Sequence, residues 1–416
     1  MLPGLGLVLH RRTRRLRLAL AIAVGLLFIV DILQARRAQT SHQRTPSLLT
    51  SNADQNIFIA SLHWNSEAIL REAWPLALLR LVDTLRARSS NNNNTNVFVS
   101  IYESGSWDRT KSVLLGLDKE LASRGVPRRV VLDKTTHADE MASEDLNGWV
   151  TDPSGQRHRR RIPYLAGLRN TVLEPLREQK DTGAGVVYDK IVFIEDIAFS
   201  VADVLTLLDT RGGDYAAACA LDASVAPMLY DTFALRDSDG HAPLSIHWPF
   251  FRASASRNAV RRRAPVPVRS CWNGLVAMDA APFYDGLHFR GLSDSLAASH
   301  LEASECCLIH ADNNNDSRTS TDKGVWMNTD VRVGYNRKAY DGMHPPSGLW
   351  LSTWDVAYGL WSNRLQRWTS TTWFKERIVD ARIAKWAADD PTHAETDRHC
   401  TINEMQVLVA NGWAHI

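Results

Sequence analysis

The stretch that decides the fold covers residues 188–199 and reads Y-D-K-I-V-F-I-E-D-I-A-F. Residues 191–194 form an unbroken apolar run, which is typical of a central strand covered by helices on both faces. The run ends at two carboxylates, Glu195 and Asp196. Ligands of open α/β sheets bind beyond the carboxyl ends of the strands, so this pair suits a divalent cation that bridges a nucleotide diphosphate. The same pair also suits a helix N-terminus, whose dipole favours acids.

Strand and helix patterns alternate around this stretch, and the alternation predicts a mostly parallel, doubly wound α/β sheet. In chain order the pattern predicts a strand at 56–62, a helix from Ser66 to about Leu85, a strand at 96–102, a helix from Asp108 toward Leu121, a strand at 129–132, a helix at 162–176, the acidic strand, and a strand at 216–221 that ends in Asp222.

Several function classes are disfavoured by what the sequence contains. No glycine-rich dinucleotide or P-loop motif follows the first strand, and no G-x-S-x-G elbow occurs. A net charge of +2 argues against a nucleic-acid surface. Two arginine-rich runs, at 157–161 and 261–263, are interpreted as solvated loops, with a diphosphate or anionic-glycan contact as the alternative. Five cysteines without C-x-x-C spacing disfavour zinc, and their odd number leaves at least one thiol unpaired within the chain.

The N-terminal segment has the composition of a membrane anchor. A basic tail at 1–15 precedes an apolar segment at 16–33, which would rise ~27 Å as a helix. The basic cluster predicts a cytosolic tail and a lumenal chain. A cleaved signal peptide is the alternative, because the uncharged core is short. A polar stem is predicted at 34–53, a catalytic domain at 54–342, and a segment rich in tryptophan at 343–416, where helical spacing of Trp350, Trp354 and Trp361 indicates core packing or, as the alternative, a glycan-binding surface.

Two further blocks follow the predicted sheet. Residues 270–283 read S-C-W-N-G-L-V-A-M-D-A-A-P-F, a polar turn followed by an apolar strand. Residues 300–312 read H-L-E-A-S-E-C-C-L-I-H-A-D, in which Glu302 and Glu305 have the spacing of one helical face and His310 follows a short apolar run that suits a strand.

These blocks and their order resemble the fungal α-1,3-mannosyltransferase family typified by the cryptococcal capsule-associated enzymes, glycosyltransferase family 69. The similarity covers roughly residues 54–340. The matching strings are F-I-A-S-L-H-W-N-S-E, V-S-I-Y-E-S-G-S-W-D-R-T, Y-L-A-G-L-R-N, Y-D-K-I-V-F-I-E-D-I-A-F, Y-D-T-F-A-L-R-D-S, S-C-W-N-G-L-V-A-M-D and H-L-E-A-S-E-C-C-L-I-H-A-D.

The resemblance implies a GT-A glycosyltransferase fold with a type II topology in the Golgi or ER membrane. It also implies a GDP-mannose donor, a mannose-containing glycan acceptor, and retaining α-1,3 transfer that depends on Mn²⁺ or Mg²⁺. The family often has Asn-Asp where this chain has Glu195-Asp196. Asp196 is therefore the expected metal ligand, with Glu195 as an extra ligand or a neighbour and His310 completing the shell; a helix cap for Asp196 and a buried structural histidine are the alternatives.

The remaining roles follow from the same resemblance. Glu305, and next to it Glu302, are expected to meet the acceptor hydroxyl or to support the oxocarbenium ion. The acceptor side is assigned to Trp272 and Asn273, although a tryptophan more often belongs to a core. The donor is assigned to Ser61, His63, Glu103, Arg109, Arg169 and Asp222, with a structural ion pair as the alternative for Arg169.

Two alternative functions are also consistent with this sequence. A catalytically silent homologue that binds glycan, or an enzyme with another donor such as UDP-xylose, would have the same pattern of elements.

Overall fold

A computed structural model describes residues 5–40, 55–88, 96–181, 185–315, 323–370, 372–395 and 397–416. The predicted stem lies outside these ranges from residue 41 onward, and its first residues belong to a long N-terminal helix. The architecture is a central sheet covered on both faces by helices, so the predicted α/β class is confirmed.

Nine strands form the central sheet within the described ranges, in the order β3-β2-β1-β6-β10-β7-β12-β9-β8. Three small two-stranded ladders, β11-β13, β14-β15 and β4-β5, lie outside it. The strands are β1 (Ile57–His63), β2 (Val97–Ser104), β3 (Arg128–Asp133), β4 (Trp149–Thr151), β5 (Arg157–Arg159), β6 (Lys190–Ile194), β7 (Ala217–Ala223), β8 (Arg236–Asp237), β9 (Val266–Ser270), β10 (Leu275–Asp279), β11 (Glu302–Ala303), β12 (Val325–Gly334), β13 (Thr401–Ile402), β14 (Gln406–Val409) and β15 (Gly412–His415).

The helices cover both faces of this sheet. They are α1 (Leu5–Thr40), α2 (Glu67–Glu72), α3 (Trp74–Ala87), α4 (Thr110–Ser123), α5 (His137–Met141), α6 (Arg161–Asp181), α7 (Val201–Leu208), α8 (Ser254–Arg261), α9 (Ala281–Tyr284), α10 (Asp294–Ala297), α11 (Glu305–Asn315), α12 (Arg337–Met343), α13 (Thr353–Thr369) and α14 (Thr372–Asp389), with a 3₁₀ turn at Thr210–Gly213.

The centre of the sheet is parallel because β2, β1 and β6 pair in one direction. Strand β10 runs antiparallel between β6 and β7, which places the turn before it against the carboxyl end of β6. Alternate residues of β6 point into two separate cores: Ile191 and Phe193 into one, Val192 and Ile194 into the other. A run without polar residues is therefore what this strand requires.

The predicted helix from Ser66 is two helices, because the chain breaks at Ala73 (φ −149°, ψ −40°). Pro75 explains the break: it lacks an N–H, and in a continuous helix its ring would clash with the carbonyl of Arg71.

The structure of residues 300–312 contradicts the prediction. Glu302 lies in β11, paired with β13, whereas Glu305 begins α11, so the two glutamates do not share a helical face. His310 lies within α11 rather than at a strand end. The local pattern is overridden by a strand partner about a hundred residues away and by a disulfide, Cys307–Cys400, that ties the C-terminal part to α11.

A second disulfide, Cys219–Cys271, links β7 to the segment before β10. Cys306 is the free and buried cysteine of the described chain, as the odd count predicts.

Helix α1 contains a 21-residue segment, Thr13–Leu33, that is long and apolar enough to cross a membrane. Its C-terminal part packs against α13. The core packing predicted for Trp354 is wrong, because this side chain is exposed on α13, whereas Trp386 of α14 is buried.

Candidate active site at the carboxyl edge of the sheet

The acid pair follows β6 directly and is held there by its backbone. Glu195 N–H donates to Gly274 O over 2.9 Å, and the indole N–H of Trp74 donates to Glu195 O over 2.9 Å. Asn273 and Gly274 both have positive φ, at 54° and 71°. A Cβ on Gly274 would lie 2.8 Å from Ile197 Cγ2, so glycine is required for this turn to approach the acids.

Glu195 is engaged by the protein itself. Its Oε1 accepts hydrogen bonds from Arg169 Nη1 over 2.5 Å and from Trp272 Nε1 over 3.0 Å. These contacts favour the interpretation of Glu195 as a neighbour of the metal site. They do not support Glu195 as an extra metal ligand.

Arg169 joins the acid pair to the start of α11. While Nη1 bonds Glu195, Nε donates to Glu305 Oε1 over 3.1 Å, and the guanidinium lies 4.4 Å above the ring of Trp272. Its Nη2 makes no hydrogen bond within the described chain. Arg169 thus forms structural ion pairs, which were predicted as the alternative to a diphosphate contact. Its Nη2 could still donate to an anion.

Asp196 differs from its neighbour in having no counter-charge of its own. No other residue of the described ranges donates a hydrogen bond to its carboxylate. Burial and the negative charge of Glu195 raise the pKa of Asp196 to about 7. A carboxylate in this position gains most from a bound cation, since a cation relieves both causes of the shift.

Asp222, at the end of β7, forms a second buried acidic centre with Asp231. Asp222 Oδ1 accepts from Asn273 Nδ2 over 2.8 Å, and Oδ2 accepts from the backbone N–H of Asp231 over 3.1 Å. Burial and the charge of Asp231 raise the pKa of Asp222 to about 7. Asn273 Oδ1 is buried and has no partner in the described residues. Asn273 therefore serves this acidic network and is not exposed to an acceptor as predicted.

Tyr335 marks the point where these acids converge. Burial and the charges of Asp222, Asp231, Asp196 and Glu195 raise its pKa well above the usual range. Clustered carboxylate oxygens are the ligands that Mg²⁺ and Mn²⁺ prefer. The donor set therefore fits a hard divalent cation, although within the described ranges no group of three or more His, Cys, Asp or Glu side chains is already arranged around one point to hold a metal.

His310, the predicted histidine ligand, has a backbone partner. It is buried, and its Nε2–H donates to Cys271 O over 2.8 Å. Burial lowers its pKa to about 4, so the ring is neutral. Both features suit the structural role that was its alternative, and both also occur in metal-bound histidines, so the ligand role stays a prediction.

Glu302 and Glu305 have different surroundings. Glu302 is fully buried in a bidentate pair with Arg160, whose Nη2 lies 2.7 Å from Oε1 and whose Nε lies 3.1 Å from Oε2; Arg160 also pairs with Asp294. The contacts give Glu302 a structural role, and they contradict the solvated-loop interpretation for Arg160. Glu305, in contrast, begins α11 and accepts from Arg169 at the acid-lined edge.

Trp272 cannot offer a face to a sugar in this structure. It is buried, Arg169 covers its ring, and Phe193 and Phe289 pack against it with centroids 5.0 and 5.7 Å away. The acceptor-stacking prediction for Trp272 is therefore wrong, and the core alternative is right.

Ser61 and His63 end β1 next to the acid pair. Ser61 Oγ donates to Ile194 O, which leaves His63 Nε2–H to donate to Ser61 Oγ over 2.9 Å. The buried Nδ1 of His63 has no partner among the described residues. Burial lowers the pKa of His63 to about 3, so the ring is neutral and Nδ1 can accept a hydrogen bond. The donor-binding role of both residues stays a prediction.

The residues after β2 lie in contrasting environments. Glu103 is buried, with Lys111 Nζ 2.9 Å from Oε2 and the Ser106 N–H bonded to Oε1. Arg109 has an exposed side chain, and its N–H donates to Glu67. Their donor roles also stay predictions.

Arg161 and Asp231 also belong to this site. The sequence predicted a solvated loop or, as the alternative, an anionic contact for the run that contains Arg161, and it predicted no role for Asp231. Arg161 Nη1 donates to Gln406 Oε1 over 2.6 Å, and its guanidinium lies 4.7 Å above Trp413, so the C-terminal hairpin lies over the start of α6. The charges of Glu305 and Asp231 act on Arg161. The string Y-D-T-F, which contains Asp231, was the available signal for that acid.

Comparison with known proteins decides the family. The family described as "Cryptococcal mannosyltransferase 1" matches residues 56–312, more than half of the 416 residues. The chain belongs to this family. The resemblance to the cryptococcal mannosyltransferase family is thereby confirmed.

One relative in this family is the alpha-1,3-mannosyltransferase CMT1 of Cryptococcus neoformans var. neoformans serotype D, which is 30% identical over 165 residues. The match covers 36% of this chain and 35% of the relative, so it spans about a third of that protein's length.

Two solved structures are similar in chain course. The mannosyltransferase PcManGT of Pyrobaculum calidifontis, in complex with GDP-Man and Mn²⁺, has a TM-score of 0.34 at 12% identity and covers 89% of this chain and 87% of its own. GalNAc-T7 with UDP, GalNAc and Mn²⁺ has a TM-score of 0.34 at 12% identity, covering 67% of this chain and 43% of its own. TM-scores this low assign no residue.

Proposed function

We propose that this chain transfers mannose from GDP-mannose to a mannose-containing glycan, with retention and in α-1,3 linkage, and that the transfer depends on Mn²⁺ or Mg²⁺. Membership of a mannosyltransferase family supports the sugar and the reaction class. The observation that carries the proposal is Asp196, a carboxylate at the carboxyl edge of the sheet with a pKa raised to about 7 and no hydrogen-bond donor from another described residue.

Asp196 would hold the divalent cation. When bound, the ion would neutralise the negative charge that develops on the departing diphosphate. Arg169 Nη2 would donate to a diphosphate oxygen, since its other nitrogens are fixed by Glu195 and Glu305. Its guanidinium is held in place before the ligand arrives, so little ordering is required on binding.

The polar groups of the GDP-mannose donor would bind polar side chains at the carboxyl edge of the sheet. His63 Nδ1 is an acceptor and suits an N–H or O–H of the guanosine. Asp222 and the unpaired Asn273 Oδ1 suit hydroxyl groups of the sugar. Glu103 supports the turn after β2, and Arg109 would reach the donor from its rim.

Glu305 would be the catalytic carboxylate. Arg169 fixes one of its oxygens, which positions the group at the acid-lined edge. In a retaining transfer, a carboxylate can attack the anomeric carbon, or the leaving diphosphate can take the acceptor's proton on the same face; Glu305 suits either course as nucleophile or as support for the oxocarbenium ion. We assign Glu302 to holding Arg160.

The apolar segment Thr13–Leu33 would anchor the chain in the Golgi or ER membrane as a single-pass type II protein. The arginines before it favour a cytosolic N-terminus and a lumenal catalytic domain.

The test is a donor screen with the full chain in detergent. With GDP-mannose, Mn²⁺ and an α-mannoside acceptor, we expect GDP release and an α-1,3-linked product, both lost in Asp196→Asn. Asp189→Asn is the matched control, because Asp189 lies at the opposite end of the same strand, exposed and bonded to Asn56 N–H. Full turnover by Asp196→Asn, release of UDP from UDP-xylose alone, or glycan binding without transfer from any donor would each overturn the proposal.

A further inference from the structure

One face of helix α13 carries a row of large side chains, most of which are exposed, although Trp361 in its middle is partly buried against the core. Trp354, Tyr358, Trp361, Leu365 and Trp368 recur at intervals of four and three residues, so they lie on one stripe of the helix. We call these five residues the aromatic stripe. Trp354 is 72% exposed, Trp368 69%, Leu365 52% and Tyr358 46%. Large aromatic side chains exposed in a row indicate a surface that binds something.

The opposite face of α13 is firmly packed on the domain. Val356 and Leu360 are buried, and Asn363 Nδ2 donates to Phe251 O over 3.1 Å. Gly359 approaches the backbone of Trp248 so closely that an added Cβ would overlap Trp248 O. The stripe is therefore held outward by the fold and is not an unpacked part of the core.

The stripe is continuous with the membrane-anchor segment. Phe28 of α1 packs against Trp361 with ring centroids 5.8 Å apart, and Asp31 Oδ2 accepts from Arg364 Nη2 over 2.7 Å. Arg36 Nη1 donates to Leu351 O just before α13. Phe28 lies five residues before Leu33, the end of the apolar segment, or ~8 Å along the helix axis. Helices lying in a bilayer interface bury their apolar face by ~5–10 Å, so the depths agree.

Positive charge lies beside α1 and the packed side of α13. Arg364 pairs with Asp31 of α1, and Arg367 donates to Asn363 on the packed face. Helix α8, which also contacts α1, contributes Arg257 and Arg261, preceded by Arg252. Burial and the charges of Arg364, Arg252 and Arg261 lower the pKa of Arg367, which shows that these guanidinium groups are concentrated. Arginine guanidinium groups bind phosphate oxygens, and aromatic rings favour the membrane–water interface, so this combination suits phospholipid headgroups.

We propose that α13 lies on the membrane surface, with the aromatic stripe inserted among the headgroups of a phospholipid bilayer and the arginines of α8, beside α1, on the lipid phosphates. This inference rests on the proposal that α1 spans the membrane. It fixes the catalytic domain against the bilayer beside its anchor, and it explains why tryptophans are exposed on α13.

The experiment measures tryptophan quenching in the full chain reconstituted into vesicles that contain phosphatidylserine and phosphatidylcholine brominated near the headgroup. Helix α1 contains no tryptophan, so bromolipid quenching reports the domain. We expect strong quenching in the wild type and loss of most of it in the double variant Trp354→Ser/Trp368→Ser. Trp107→Ser is the matched control, because Trp107 is 61% exposed after β2 and we expect it to change no quenching.

The dependence of the bromolipid quenching on lipid charge is a second test. Arg257→Gln/Arg261→Gln should lower the quenching more in phosphatidylserine vesicles than in vesicles of phosphatidylcholine alone. Equal quenching in the wild type and the tryptophan double variant would overturn the proposal. So would a fluorescence change on adding free mannooligosaccharide that the double variant lacks, without bromolipid quenching, because the stripe would then be a glycan surface.

Alkaline carbonate extraction separates this proposal from the anchor on which it rests. Release of every variant from the vesicles would refute the span by α1. A chain that stays in the membrane but is not quenched would refute only the placement of α13.

Discussion

Arg169 Nη1 donates to Glu195 Oε1 over 2.5 Å, and this contact fixes the guanidinium between the acid pair of β6 and Glu305 at the start of α11. One buried arginine therefore links the strand end to the helix that carries the proposed catalytic carboxylate.

The first prediction concerns that link. Arg169→Gln should lower the free energy of unfolding by about 3 kcal/mol, because breaking a buried ion pair leaves unpaired carboxylates. Arg169→Lys keeps the charge but not the planar fork, so it should lose less stability and still lose at least tenfold in turnover. Chemical denaturation and GDP release measure the two effects. Arg177→Lys, two turns along α6 and bonded only to Phe283 O, should change neither; an active Arg169→Lys would contradict this prediction.

The second prediction concerns pH. The pKa of Asp196 is raised from 3.8 to about 7, so without metal the folded chain binds a proton that the unfolded chain releases. Stability should fall as pH rises from about 4 to 7, and Asp196→Asn should remove the part of this loss that Asp196 contributes, while Asp222 contributes a further part. The variant should be more stable than the wild type by on the order of 2 kcal/mol at pH 8 and no more stable at pH 4.

Chemical denaturation at pH 4 and pH 8, with a chelator present, tests the direction of this pH dependence. Adding Mn²⁺ should stabilise the wild type at pH 8 and not Asp196→Asn, since the ion binds the ionised carboxylate. Asp189→Asn should respond to Mn²⁺ as the wild type does. If the stabilities of the wild type and Asp196→Asn changed in parallel from pH 4 to 8, the raised pKa of Asp196 would be refuted.

The third prediction separates the two glutamates of residues 300–312. Glu302→Gln should lower the melting temperature, because Arg160 loses its bidentate partner, and leave the turnover of the folded fraction within about threefold of the wild type. Glu305→Gln should reduce turnover by at least a hundredfold with a smaller change in melting temperature. Reversed outcomes would return the catalytic role to Glu302.

The fourth prediction concerns the cysteines. Unfolding without reductant should expose one thiol to alkylation, Cys306, and peptide mapping should find Cys219 joined to Cys271 and Cys307 to Cys400. Cys400→Ser should cost about 2–4 kcal/mol, because the bridge closes a long loop. Cys306→Ala should cost much less, and labelling of two or more cysteines in the unfolded wild type would contradict the pairing.

The sequence predicted the parts of the fold that depend on local pattern. Residues 191–194 form an apolar run that is typical of a doubly covered strand, and Glu195 and Asp196 lie at its end as expected. The direction of β10 was not predictable, because the same apolar run suits a parallel or an antiparallel neighbour.

The candidate site was predicted in its position and only partly in its contacts. Arg160 meets Glu302, and Arg169 meets Glu305, across 142 and 136 residues, so no local spacing reveals that one glutamate is structural. Trp272 was open to both a sugar and a core interpretation, and the choice depends on Phe289, which lies in a later segment.

The hairpin of β14 and β15 has a practical consequence. Arg161 donates to Gln406 and lies over Trp413, so the C-terminal hairpin packs on the start of α6, at the residue whose charge interacts with Glu305. Measuring the acceptor's Michaelis constant for a chain with a purification handle fused after β15, and for one with the handle ahead of α1, would show whether the hairpin borders the acceptor site.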